Sequence, residues 1–190
     1  MYESKVTFIR IPKNASTSIY EHIRPINTIK GELMPQLKEH EGIFDPTHCT
    51  LSQAVKVLGE DILNKICFAV CRNPFDRMVS QYTFTQSQEF IPLKFKDFSE
   101  FIDFASEVDS IASHSQSYYL DMDVHIDILR FENLQRDFML FCAKNKLLIN
   151  PLLPKKNRTT HKHYTEYYTP KLKEKVKTLW SEDFKRFNYE

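Results

Sequence analysis

The chain has 190 residues, 42% of them hydrophobic, with 26 basic side chains against 25 acidic ones. That length suits one domain spanning residues 1–190 with a proper core, and three glycines, nine prolines and abundant Phe and Tyr exclude a disordered or fibrous chain. The near balance of charge removes any global field for nucleic acid. No apolar run approaches the roughly 20 residues of a membrane span, and nothing near Met1 has the pattern of a signal peptide.

In chain order, Lys5 to Ile11 (KVTFIRI) is apolar and β-branched and predicts a strand, broken by Pro12. Thr17, Ser18, Ile19 and Tyr20 then begin a helix that runs to about Arg24 and is stopped by Pro25. Ile26 to Thr47 shows little period and is expected to be an irregular excursion. Thr50 with Gln53 fits a capping box, and Leu51, Ala54, Val55 and Leu58 form a helical stripe ending at Gly59. Ile66 to Cys71 (ICFAVC) is apolar without alternation, as a central parallel strand covered on both faces should be. Asn73 can cap the next helix, with Pro74 at its first position.

Further on, Phe95 to Ala105 predicts a helix whose Phe98, Phe101, Ile102 and Ala105 cover one face. Ile126 to Phe131 (IDILRF) predicts a third strand, followed by Asn133 and a helix through Ala143 or beyond. Pro151 to Tyr164 is basic and Pro-broken, a loop, and Thr169-Pro170 opens a long closing helix with Leu172, Val176, Leu179 and Trp180 as its buried stripe. From Lys155 to Lys177 eight basic residues face only Glu166 and Glu174, so this part can meet an anion. Cys49, Cys67, Cys71 and Cys142 form no CxxC pair and read as packing thiols; the expectation is a soluble, reduced, cytoplasmic chain. Strands alternating with helices give an α/β class, a P-loop-like three-layer domain with a central parallel sheet flanked by helices.

Two segments carry the chemistry, Pro12-Lys13-Asn14-Ala15-Ser16-Thr17-Ser18 and Arg72-Asn73-Pro74-Phe75-Asp76-Arg77-Met78-Val79-Ser80. Each follows a strand and opens a helix, where backbone N–H groups, a cation and hydroxyls can hold a phosphate. A pair of such loops suits a ligand with two separated phosphates, and 3′-phosphoadenosine 5′-phosphosulfate (PAPS) is such a ligand. The first loop lacks the glycines and the terminal Gly-Lys-Ser/Thr of a Walker motif. Its residues could equally do no more than cap a helix with Lys13 solvated, and Arg72 could be a structural arginine paired with Asp76. Taken alone, His48 reads as a satisfied structural histidine, and Asp45 either orients it or begins a turn with Pro46. His114 could touch an acceptor. His161 and His163 lack the further ligands a metal site would need, so no catalytic metal is expected.

The ordered set of segments resembles the PAPS-dependent sulfotransferases, closest to the carbohydrate branch that includes the heparan 2-O type. PKNASTS (residues 12–18) looks like the 5′-phosphosulfate loop and RNPFDRMVSQY (72–82) like the 3′-phosphate motif. HCTLSQAVKVLG (48–59), ILRFENLQRDF (128–138) and the last 28 residues, HYTEYYTPKLKEKVKTLWSEDFKRFNYE, agree in order. The resemblance implies that Lys13 holds the bridging oxygen of the donor and that Asn14, Ala15, Ser16, Thr17 and Ser18 hold its 5′-phosphate. It gives Arg72 and Ser80 the 3′-phosphate, makes His48 the general base, and places Arg158, Thr159 and Thr160 in a segment closing over the nucleotide.

The implied reaction is in-line transfer of a sulfuryl group from PAPS to a hydroxyl of a glycan or glycosylated small molecule, one nucleotide bridging the ends of two neighbouring strands. A P-loop-type small-molecule or nucleotide kinase, and a non-catalytic nucleotide- or RNA-binding domain, are the competing readings. The first would need a Walker lysine pattern and a magnesium carboxylate, for which Asp76 is the nearby candidate.

Overall fold

The computed structural model describes residues 4–29, 46–154 and 162–190. These divide into two compact units, one formed by Met1–Cys71 with Tyr118–Asn157 and the other by Arg72–Ser117 with Arg158–Glu190.

The first unit is built on a parallel sheet of order β1-β2-β3, with β1 Val6–Ile9, β2 Ile66–Cys71 and β3 Asp127–Arg130. Val6 stands opposite Ile66 and Ile9 opposite Ala69, while Cys71 pairs with Arg130 on the other side. The strand period of two divides the side chains between faces. Val6, Phe8, Phe68, Val70 and Leu129 meet Ile19 and Ile23 of α1 (Ser16–Ile23) and Phe138, Phe141 and Cys142 of α5 (Leu134–Lys144). Phe8 stacks on Phe68 at 4.7 Å between ring centres, and Phe68 lies 4.5 Å from Phe141. On the opposite face Thr7 Oγ1 donates to Ile62 O at 2.7 Å, joining the sheet to the short 3-10 helix Glu60–Asn64 that follows α2 (Leu51–Leu58). Helices on both faces of the sheet make three layers.

Phe68 is fully buried at the centre of that aromatic stack. Phe68→Ala is therefore expected to destabilise the protein by about 3–5 kcal/mol, to be read as a lowered midpoint in urea unfolding.

The second unit is helical: α3 Pro74–Ser87, α4 Phe98–Glu107, α6 Pro170–Leu179 and α7 Ser181–Arg186. Phe75, Met78 and Val79 of α3 pack with Phe98, Phe101 and Ile102 of α4 and with Leu172, Val176 and Trp180. Tyr168 reaches this core and donates its phenol to Phe75 O at 3.0 Å; burial, with the Asp76 charge a smaller cause, pushes that phenol far above its ordinary range.

Several expectations hold in detail. β2 has the predicted bounds. Thr50 and Gln53 form the reciprocal capping box, with Thr50 N–H donating to Gln53 Oε1 at 2.8 Å, and Gly59 ends α2 at φ 82. Asn73 Oδ1 accepts from Phe75 N–H at 2.9 Å, with Pro74 in the first helical position. All four cysteines are buried thiols, and burial raises the pKa of Cys67 and Cys142.

Others need correction. β1 is shorter than Lys5 to Ile11, since the chain leaves the sheet at Arg10. Phe95 precedes α4 rather than opening it, because Asp97 supplies the cap by accepting from Glu100 N–H at 3.0 Å. Ile26 to Thr47 is not irregular throughout: Asn27 bridges Val6 in parallel, and its Oδ1 accepts from Phe8 N–H. Residues 30–45 of that stretch, Asp45 among them, lie outside the described residues. The long closing helix is two helices, broken at Trp180, whose Nε1 donates to Ser113 O at 2.8 Å. Leu179 consequently leaves the predicted stripe and is 39% exposed.

Candidate functional site

The first loop leaves β1 and enters α1 by a path unusual for residues with a Cβ. Lys13 has φ 66 and Ala15 φ 57, both left-handed, in a loop without glycine. Each such residue costs about 1–2 kcal/mol. Left-handed residues are a frequent ingredient of anion-binding turns, in which consecutive N–H groups face a common concavity. Ala15 places its carbonyl at the first turn of α1, accepting from Ile19 N–H at 3.2 Å, but offers no side-chain cap. The first N–H groups of the helix are left to be met by other means.

Asn14 holds this path in place. It is buried, and its Nδ2 donates to Val70 O at 2.7 Å, fastening the loop to the carboxyl-end half of β2. Ser16 and Ser18 are buried and Lys13, Ala15 and Thr17 partly exposed, so the loop presents alternate residues outward.

His48 ends a single 3-10 turn, Pro46–His48, and its Nδ1 lies 2.7 Å from Arg10 O. A carbonyl can only accept, so Nδ1 carries a proton in this bond, and it is Nε2 that holds the lone pair whenever the ring is neutral. That bond ties the imidazole to the residue that leaves β1 three positions before Lys13. Arg10 also lays its guanidinium 4.5 Å over the Tyr20 ring of α1. The structure thus brings His48 and the first loop to one strand end.

The second segment belongs to the helical unit. Arg72 is buried and its Nε donates to Asp76 Oδ2 at 2.8 Å, the ion pair of the structural alternative. Its main chain is held as well: Arg72 N–H donates to Gln116 Oε1, and Gln116 Nε2 donates to Arg72 O, each at 2.9 Å. Ser80 lies on α3 and is buried. Arg77, three per cent exposed, donates through Nη1 to His114 O at 3.0 Å. His114 itself meets Asp109 Oδ1 through Nε2 at 2.7 Å.

Gln116, Asp183 and Arg77 were not singled out by the sequence. Their partners lie 37 to 67 residues away, and no local pattern announces such contacts. Arg158, Thr159, Thr160 and His161 lie outside the described residues. His163 meets Thr165 Oγ1 at 2.8 Å. Among the described residues no group of three or more His, Cys, Asp or Glu is placed to hold a metal ion, and no helix is long and apolar enough to cross a membrane.

The profile of the sulfotransferase family matches residues 2–190. No curated protein matches the chain. Among solved structures, the crystal structure of mouse sulfotransferase SULT7A1 complexed with PAP is similar in fold, with a TM-score of 0.62 at 14% identity over 96% of this chain and 85% of that one.

Proposed function

The chain belongs to the sulfotransferase family, and from that premise we propose that it moves a sulfuryl group from PAPS to a hydroxyl of a carbohydrate or glycosylated small molecule. The family match runs through both compact units, which supports reading residues 1–190 as one catalytic domain. The mouse fold neighbour is complexed with PAP, which supports the same nucleotide here.

In this reading the first loop holds the donor's 5′-phosphate through the N–H groups of Asn14 to Ser18 and the hydroxyls of Ser16, Thr17 and Ser18. Lys13 meets the oxygen that bridges phosphorus and sulfur. Arg72 and Ser80 take the 3′-phosphate, the former by a forked contact of its guanidinium, and Arg158, Thr159 and Thr160 close over the nucleotide. His48 Nε2 takes the acceptor's proton as its oxygen forms a bond to sulfur. The bond from sulfur to the bridging oxygen breaks, and its electron pair stays on the departing phosphate beside Lys13. The products are a sulfate ester, PAP and a protonated histidine. Positioning and fixed charge supply most of the rate, as in phosphoryl transfer.

The observation that carries the reading is the strained first loop, with two left-handed residues, Asn14 pinned to β2 and His48 tied through Nδ1 to Arg10 O just before the loop. Outlying backbone of this kind persists where the surroundings hold it for a purpose. Calorimetry without magnesium tests the donor: adenosine 3′,5′-bisphosphate is expected to bind at least tenfold more tightly than ATP or 5′-AMP, about 1.4 kcal/mol. Equal binding of ATP would overturn the assignment. A screen of sugar acceptors with labelled PAPS then tests the carbohydrate, and label found only on non-sugar hydroxyls would exclude it.

A further inference from the structure

We propose that Gln116 is a positioning residue for the donor's 3′-phosphate, acting through the main chain of Arg72; this rests on the role given to Arg72 above. Gln116 is fully buried, and its carboxamide engages both main-chain groups of Arg72, accepting from N–H and donating to C=O at 2.9 Å each. A neighbouring strand residue would make the same two bonds. A side chain 44 positions away thereby fixes the backbone at the residue where β2 has just ended.

Gln116 is itself held. Its own N–H donates to Asp183 Oδ2 at 2.7 Å and Ser117 N–H donates to Asp183 Oδ1 at 2.8 Å. Asp183 is fully buried on α7, and both oxygens of its carboxylate are engaged by these adjacent N–H groups. The connection therefore runs from Asp183 to the 116–117 main chain, through the Gln116 amide to the Arg72 main chain. Asp76 fastens the guanidinium at its Nε. Arg72 is thus gripped at its root and near its tip.

Such a grip matters to a forked cation. Two parallel N–H···O bonds to a phosphate form together only if the guanidinium plane is set beforehand, and a loose root would have to be ordered at every binding event. A purely structural glutamine would affect stability and leave ligand preference alone. A positioning glutamine would alter the preference for a 3′-phosphate and leave the rest of nucleotide binding unchanged.

The experiment compares affinities of the full chain for adenosine 3′,5′-bisphosphate and 5′-AMP by calorimetry. Gln116→Ala is expected to shrink the ratio of the two by on the order of tenfold, with 5′-AMP affinity unchanged, and to have no further effect in an Arg72→Ala background. Gln116→Glu keeps the size and the acceptor for Arg72 N–H but turns an anionic oxygen on Arg72 O, and should shrink the ratio likewise; thermal melts check that each variant folds. An unchanged ratio in folded Gln116 variants, while Arg72→Ala lowers it, overturns the proposal and spares the reading of Arg72. An Arg72→Ala protein that still prefers the 3′-phosphate overturns that reading, and this inference with it. Failure of both Gln116 variants to fold would make the contact structural and overturn the proposal.

Discussion

Lys13→Ala should lower kcat by about 10²–10³-fold while changing the affinity for PAPS by no more than about fivefold, near 1 kcal/mol. The split follows from where charge appears. The bridging oxygen is nearly neutral in the ground state and gains negative charge only as its bond to sulfur breaks, so a cation beside it acts on the transition state more than on binding. The backbone dictates the choice of variant. Lys13 sits at φ 66, and alanine or methionine bears the same left-handed cost as lysine, whereas glycine would also relieve strain and mix two effects. Single-turnover transfer from labelled PAPS, with calorimetry on the same preparations, separates chemistry from affinity. Arg72→Ala should show the reverse pattern, weakened binding with a smaller effect on the chemical step. A Lys13→Ala protein with intact turnover, beside an Arg72→Ala protein with none, would invert the division of labour between the two loops.

The sequence was most legible where one local rule acted alone. β2 could be read to the residue because a continuous apolar run is bounded by Lys65 and by Arg72-Asn73-Pro74. α2 and α3 declared their starts through Thr50 and Asn73, whose side chains bond N–H groups two or three residues on. Legibility failed where distant contacts decided. The apolar stripe of the closing helix continues in phase through Trp180, and nothing in it foretells that the indole N–H donates to Ser113 and the helix breaks there. The site divides the same way. Lys13 and Arg72 stood out by residue type and segment, and His48 through the resemblance of its segment to the family's. The left-handed turns at Lys13 and Ala15 gave no signal because no glycine marks them, and the buried Gln116 and Asp183 are joined to their partners only by the fold.

His48 separates catalysis from support most sharply. His48→Ala removes both the lone pair on Nε2 and the donor to Arg10 O, so a loss of kcat, expected at about 10²–10⁴-fold for a general base, could come from either. His48→Asn distinguishes them, because its Nδ2 stands where Nδ1 stood and can still donate to Arg10 O just past the end of β1 but cannot take a proton. If His48 is the base, the asparagine protein should melt close to the parent yet turn over as slowly as the alanine protein. The parent's kcat/KM should also fall toward acid, since a base must be neutral to accept a proton, and both variants should lack that limb. The bisphosphate should bind all three alike, because the proton in question belongs to the acceptor. An asparagine protein with near-parent turnover would reduce His48 to a strut beneath the strand end, its bond to Arg10 needed only to set the first loop. The proton acceptor would then have to be another group able to reach the hydroxyl.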